Sequence, residues 1–283
     1  MSDIDCSIAA LYVHPIKSCA GIALRDSLLI ETGLELDRAW AVADADGNAL
    51  TQRELPKMAL IVPTLKGDDM VLRAPGMLAL HVALDRVEAP TRAKVWADEV
   101  KAFEMGALAA QWFSDFLGRP LRLLRFDPDQ KRLSDRKWTA EHEAETAFAD
   151  AFALLVASTA SLADLNARLA ARGVAPVGME RFRPNIVLDG LQAFDEDHID
   201  ELLITTPEGQ ARLKLVKPCV RCTIPSVDPA SGEQGTEPGD TLSGFRADAR
   251  MGGGITFAMN AIVLEGVEHM LRVGQPVKAS FKF

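Results

Sequence analysis

Long apolar runs are missing from this chain. No stretch approaches the roughly 18 consecutive apolar residues of a membrane-crossing helix. The opening MSDIDCSIAALYVHPIKS lacks the basic head, long apolar core and small-residue cleavage site of a secretory signal. Cysteine is scarce too. Four residues (Cys6, Cys19, Cys219, Cys222) among 283 exclude a disulfide scaffold, and a reducing, cytoplasmic setting is expected. Positive charge is in deficit: 31 Lys and Arg against 40 Asp and Glu give a formal net charge of -9. Such a chain is not built to coat nucleic acid or anionic membrane, so any basic site must be local. No G-x-x-x-x-G-K-[ST] phosphate loop occurs. The glycine run at residues 251–255 (MGGGI) lacks the strand–glycine–helix setting of a dinucleotide site and reads as a flexible turn. Internal repeats and low-complexity tracts are also absent.

What remains is an ordinary globular composition, 48% hydrophobic and 25% charged, long enough for one large domain or two smaller ones. The first hundred residues read as short strands (SIAALYVHPI, RDSLLIETG, RAWAVADADGNAL, DDMVLRAPG) ended by Gly, Pro or Asp, with the Asp-Gly pair of DADGN at a hairpin tip. A helix is expected in GALAAQWFSDFLGRP, with Leu108, Trp112, Phe113, Phe116 and Leu117 on one face and Gly118 and Pro120 as stop signals. The charged segment DPDQKRLSDRKWTAEHEAET reads as a solvated connection. A second helix follows in STASLADLNARLAARG, with Ser161 and Asp164 in a capping-box-like spacing and Gly173 closing it. Strands then return in RFRPNIVLDG, DELLITT, ARLKLVKPC, AIVLEGVEHM and QPVKASFKF. The regular β-α alternation of a doubly wound sheet is missing. The expected fold is mainly β with a few helices (α+β), barrel-like, in two parts over residues 1–120 and 121–283.

The densest chemistry lies in KPCVRC, residues 217–222. A redox dithiol belongs at a helix start, but this pair runs into TIPSVDPASGE, where Pro225 and Pro229 oppose a helix. A structural zinc would need Cys6 and Cys19 as partners, and their separation is not that of a zinc knuckle. The five histidines (His14, His81, His142, His198, His269) do not repeat at ligand spacing and read as surface or packing residues. In an extended segment Cys219 and Arg221 share one side while Val220 and Cys222 take the other. One cysteine can then be a ligand and the other packing, or both can be small buried hydrophobes. Basic residues also sit oddly in apolar strands: Lys17 beside Ser18, Arg38, Arg53, Arg181, and Arg183 near Asn185. Separately each reads as a rim residue; brought together they would grip a phosphate.

HPIKSCAG, LELDRAW, TQRELPKMALI, ASLADLN, RFRPNIVL, KPCVRCTIPSVDPASGE and LRVGQPV occur in this order along the chain. Together they resemble the MOSC proteins with a MOSC N-terminal β-barrel domain, most of all the amidoxime-reducing components and their bacterial relatives. The resemblance covers nearly the whole chain and implies a molybdenum cofactor, Mo-molybdopterin, bound between the two β parts. By that resemblance Cys222 ligates the metal, and Lys17, Ser18, Arg38, Arg183 and Asn185 hold the pterin and its phosphate. Thr159, Ser161, Val220 and Arg221 fall in stretches that line the cofactor, and Arg53 matches a basic position of unassigned role. A soft thiolate suits a metal already held by dithiolene sulfurs. The implied activity is two-electron reduction of N-hydroxylated compounds such as amidoximes, hydroxylamines and N-hydroxylated bases. The chain has no cysteines for an iron–sulfur cluster, so a separate electron donor of flavoprotein, ferredoxin or cytochrome type is expected. The family's FGQN-like loop reads FAMN at residues 257–260, and His14 stands where relatives often carry an aromatic. The alternatives are a carrier of the cofactor or of a persulfide on Cys222, and a β-rich scaffold without chemistry.

Overall fold

Alternation of apolar side chains builds the larger of two β units, in a computed structural model that describes residues 4–282. Seven strands close into a barrel. Their order around it is Leu154–Ser158, Ile186–Asp189, Ile4–Val13, Pro276–Phe281, Ile199–Thr206, Gly209–Val220 and Gly254–Glu265, and the last pairs back with the first. Closure leaves no open edge between first and last staves. One pair, Leu154–Ser158 with Ile186–Asp189, is parallel; the helix Thr159–Ala171 lies in the connection between them, as a parallel pairing requires.

Bulges set which residues face inward. In Ile4–Val13 the register slips between Ile8 and Ala10, so Cys6 and Ile8 are buried before the slip and Leu11 and Val13 after it. The strand Gly209–Val220 slips at Leu215/Lys217 and again at Pro218/Val220. Bulges bend a strand and re-aim its side chains, and it is this end of the strand that serves the site described below.

The second unit is a sheet in the order Trp40–Ala43, Arg122–Phe126, Asp98–Glu104, Pro90–Val95, beside the three-stranded sheet Val62–Lys66, Asp69–Arg73, Leu80–Ala83. Its core gathers Ile16, Trp40, Met58, Leu72, Phe113 and Leu123. Two strands lie across the expected division at residue 120. Ile4–Val13 is a barrel stave among C-terminal strands, and Arg122–Phe126 pairs back with Trp40–Ala43 and Asp98–Glu104.

Three sequence expectations need correction. In the helix Ala107–Leu117 the buried face is Ala109, Trp112, Phe113 and Leu117, while Leu108 is 73% exposed. Leu108 lies one residue out of phase with a core face that Ala109 begins. The helix Thr159–Ala171 is capped by Ser158, whose hydroxyl accepts from Ser161 N–H at 3.1 Å, so Ser161 is inside the first turn and not the cap. The charged connection is not merely solvated. Arg132 within it is buried, donates to Ala147 O (2.8 Å) and Ala149 O (2.7 Å), and pairs with Asp98 at 2.8 Å. It thereby pins the backbone that leads into Asp150.

Truncating Phe113 to Ala is expected to cost about 3–5 kcal/mol, whereas Leu108→Ala should stay within about 0.5 kcal/mol. Denaturant melts of the two variants check the orientation of this helix, and equal costs would contradict it.

Candidate functional site

The two units meet in a cleft. Lys17, Ser18, Arg38, Thr51 and Arg53 line it from one side, and Asp150, Arg183, Asn185, Asn260 and the end of the strand Gly209–Val220 from the other. Three lining residues hold left-handed backbone without being glycine: Ser18 (φ 66°), Arg38 (φ 48°) and Arg183 (φ 57°). Such conformations cost free energy and persist only where the surroundings impose them.

Arg38 holds the seam. Its guanidinium donates to Asp37, to Asn185 Oδ1 at 3.0 Å and to Arg183 O at 2.9 Å. Asn185 is fixed in turn: its Oδ1 accepts from Leu155 N–H at 3.1 Å and its Nδ2 donates to Tyr12 O at 3.2 Å. Arg183 donates from Nη1 to Cys19 O, but its buried Nη2 has no partner. Arg221 donates to Cys219 Sγ and to Phe182 O, both at 3.0 Å, and its buried Nε is likewise unpartnered. Below it Phe182 stacks on Phe257, centroids 3.9 Å apart.

Charge in the cleft runs against the chain's overall sign. Lys17, Arg38, Arg53, Arg183, Lys217 and Arg221 line it, with Asp150 as the lining carboxylate and Asp37 behind Arg38. Burial, reinforced by the like charge of Arg38, pushes Arg183 down to about 9. Burial also lowers Lys17 even though Asp150 pairs with it. Burial raises the Asp150 carboxyl, but Lys17 and Arg53 outweigh it and hold the group well below the usual carboxylate range. Asp37 resists its own burial through Arg38 and His14 and sits at about 2. Cations that burial disfavours, with donor atoms left over, make a receptacle for an anion.

Cys222 is exposed at this cleft, and its sulfur accepts from Arg53 Nη2 at 3.3 Å; the same nitrogen reaches Asp150 Oδ2 at 3.3 Å. Cys219 and Arg221 share a side, as the extended reading of KPCVRC requires. The zinc alternative fails on position. Cys6 lies in the barrel core and Cys19 in the core of the other unit, and burial raises their thiols to about 11 and about 12. Among the described residues no group of three or more His, Cys, Asp or Glu is placed to hold a metal ion.

Of the residues named from sequence, Lys17, Ser18, Arg38, Arg183, Asn185, Val220, Arg221 and Cys222 share the cleft. Thr159 and Ser161 do not. The strand Leu154–Ser158 has its beginning, Leu154 and Leu155, at the cleft, and the helix it leads into starts at the other end. Thr159 instead donates to Asp189 Oδ1 at 2.6 Å, and Ser161 is buried between Glu196 Oε2 (2.8 Å) and Phe194 N–H (2.7 Å). Residues 257–260 are no loop but part of the strand Gly254–Glu265: Phe257 is buried, and Asn260 lines the cleft and donates to Lys217 O at 3.2 Å. Sequence reasoning missed Asp150, whose signal was a lone carboxylate inside the apolar run AFADAFALLV. It also missed Thr51, which carries no comparable signal, and left Lys217 of KPCVRC and Asn260 of FAMN without a role.

Two regions of the chain match known families. Residues 6–120 match the family model of the MOSC N-terminal beta barrel domain, and residues 143–278 that of the MOSC domain. The chain belongs to the MOSC family. Its similarity to the mitochondrial amidoxime reducing component 2 of Rattus norvegicus is 34% identity over 252 residues, 85% of this chain and 72% of that protein. The Homo sapiens component 2 is also 34% identical, over 250 residues, with the same coverage. The Homo sapiens mitochondrial amidoxime-reducing component 1 is 33% identical over 285 residues, 96% of this chain and 82% of its own length. Within this MOSC protein the cleft takes Lys17, Ser18, Arg38 and Arg53 from the first matched region and Asp150, Arg183 and Cys222 from the second.

His14 lies behind the cleft, buried, its backbone N–H donated to Asp37 Oδ1 at 2.7 Å. Its ring packs so closely on Gly21 that a Cβ there would come within 2.7 Å of Nε2. Burial, with Arg183 and Arg38 nearby, lowers the imidazole to about 3. The folded value is below the unfolded one, so the unfolded state takes up the proton first. The stability contribution is full above about pH 6.5 and is lost as pH falls toward 3. Stability should therefore drop by up to about 1.4 kcal/mol per pH unit below pH 6.5. In His14→Gln the slope between pH 6.5 and 4.5 should flatten, as thermal melts at stepped pH would report; an unchanged slope would contradict the buried neutral imidazole.

Proposed function

We propose that this chain is a molybdenum-cofactor-dependent reductase of N-hydroxylated compounds (amidoximes, hydroxylamines and N-hydroxylated bases), supplied with electrons by a separate redox protein of flavoprotein, ferredoxin or cytochrome type. The observation that carries this reading is the pairing of one exposed cysteine sulfur with an anion receptacle in a single cleft. A pterin with a phosphate tail needs guanidinium and ammonium donors, and buried Arg183 Nη2 and Arg221 Nε are without partners on this cleft. A metal held by dithiolene sulfurs needs a soft protein ligand, and Cys222 offers one. The family relatives named as amidoxime-reducing components support the same activity.

The bound cofactor would supply the two-electron cleavage of the N–O bond, with the oxygen leaving as water. The protein's share is binding and orientation. Cys222 would ligate the metal, with Arg53 donating to its sulfur and fixing the direction of the thiolate. Lys17, Arg38, Arg183 and Arg221 would grip the phosphate and pterin, with Ser18 and Asn185 as neutral partners. Asp150 stays ionised through the neutral range, so it serves as an acceptor that positions Lys17 and Arg53 and not as the acid that protonates the departing oxygen.

Protein from a cofactor-competent host should reduce benzamidoxime to benzamidine with reduced viologen as donor. Cys222→Ala should lose molybdenum while keeping its melting temperature, and Cys219→Ser should keep the metal. Arg53→Ala should lower activity about 10–100-fold, the scale of losing a partner to a metal ligand. Full metal content in Cys222→Ala would remove the ligand assignment. Protein that holds cofactor yet reduces nothing with any donor would be a carrier.

A further inference from the structure

One aromatic residue at this cleft has no role in the chemistry assigned so far. Trp96 stands at the tip of the hairpin made by Pro90–Val95 and Asp98–Glu104, where Val95 pairs with Asp98 and only two residues make the turn. Its φ is +57°, a conformation that hairpin tips usually fill with Gly, Asn or Asp. A bulky side chain there is an outlier. The residue is 64% exposed, so the fold gains little burial from it; among the described residues it is the one exposed aromatic. Packing therefore does not account for a tryptophan at this position.

Its contacts point to the site. The indole Nε1–H donates to Asp150 Oδ1 at 3.3 Å. The Arg53 guanidinium lies over the ring at 4.8 Å from the centroid, and that same guanidinium donates to Cys222 Sγ. Adding one C–N bond to those two contacts puts the ring within about 10 Å of the sulfur. With Arg53 over one face and so much of the residue in solvent, the ring keeps a face uncovered next to the cleft-lining Arg53 and Asp150. Strained backbone that holds an exposed group against the residues lining a cleft is the pattern of a functional residue.

We propose that Trp96 is a specificity-determining residue: its free face stacks the planar, delocalised part of aryl amidoximes and N-hydroxylated heteroaromatic bases and discriminates them from small hydroxylamines. The inference rests on the reductase reading for the reaction but not for the binding. Planar π-systems gain from stacking on indole regardless of their substituents, whereas hydroxylamine itself has no face to offer. The hydrogen bond to Asp150 fixes the ring's direction, and the Arg53 guanidinium supports one of its faces.

The test compares wild type, Trp96→Gly and Trp96→Phe in steady-state kinetics with benzamidoxime and with hydroxylamine, alongside melting temperatures. In Trp96→Gly the kcat/KM ratio of benzamidoxime to hydroxylamine should fall about tenfold, mostly through KM for benzamidoxime, as expected for a lost stacking contact. Its melting temperature should hold or rise, because glycine accepts the positive φ without strain. Trp96→Phe should retain most of the ratio. An unchanged ratio in Trp96→Gly would overturn the assignment. Independently of turnover, benzamidine should quench tryptophan fluorescence in wild type, and the quench should vanish in Trp96→Phe. Equal quenching in both, or none in wild type, would remove Trp96 from ligand binding. Wild-type protein that reduces neither compound would count against the reductase reading, while the fluorescence result would still decide the role of Trp96.

Discussion

The contacts of Arg38 across the seam are the constraint on which the site depends. One guanidinium joins Asp37 on its own unit to Asn185 and the Arg183 carbonyl on the barrel. Asn185 passes the connection to Leu155 and Tyr12, in two further barrel strands. Through this network the two β units present their cations to a common space. Strain accompanies it: Ser18, Arg38 and Arg183 all keep left-handed backbone, each at an order of 1–3 kcal/mol. Burying like charges adds a further cost, visible in the lowered values of Lys17 and Arg183. A bound anion would offset part of both.

The position of Cys222 follows from the same architecture. The strand Gly209–Val220 begins as an ordinary barrel stave, with Ala211, Leu213 and Leu215 buried. Two bulges near its end then deliver Lys217, Cys219, Arg221 and Cys222 to the cleft. Arg132 does comparable work by fixing the carbonyls of Ala147 and Ala149 and thus the approach to Asp150. A chain of net charge -9 thereby gathers six cations around one exposed sulfur.

Much of this architecture was legible in the residues. Short alternating strands with Gly, Pro and Asp at their ends announced barrels, and Lys17, Arg38 and Arg183 stood out as cations beside apolar strands, though the structure sets all three just outside those strands. Period alone could not decide phase or direction. Leu108 fits the helical pattern as well as Ala109 does, and only packing against the neighbouring sheet separates them. Thr159 and Ser161 follow directly on a strand that reaches the cleft, but they leave it at the wrong end. Asp150 and Trp96 were overlooked for another reason. Their meaning comes from contacts with Lys17 and Arg53, remote in sequence, and in the case of Trp96 from a backbone angle that no residue pattern reveals.

The reading as a whole stands on what the cleft holds. Metal and organic-phosphate analysis of wild-type protein purified from a cofactor-competent host addresses that directly. About one molybdenum and one pterin-bound phosphate per chain are expected, since one exposed cysteine and one cation cluster are available to hold them. Protein free of both after growth in excess molybdate, or carrying molybdenum without a phosphorylated pterin, would contradict the assignment of this cleft.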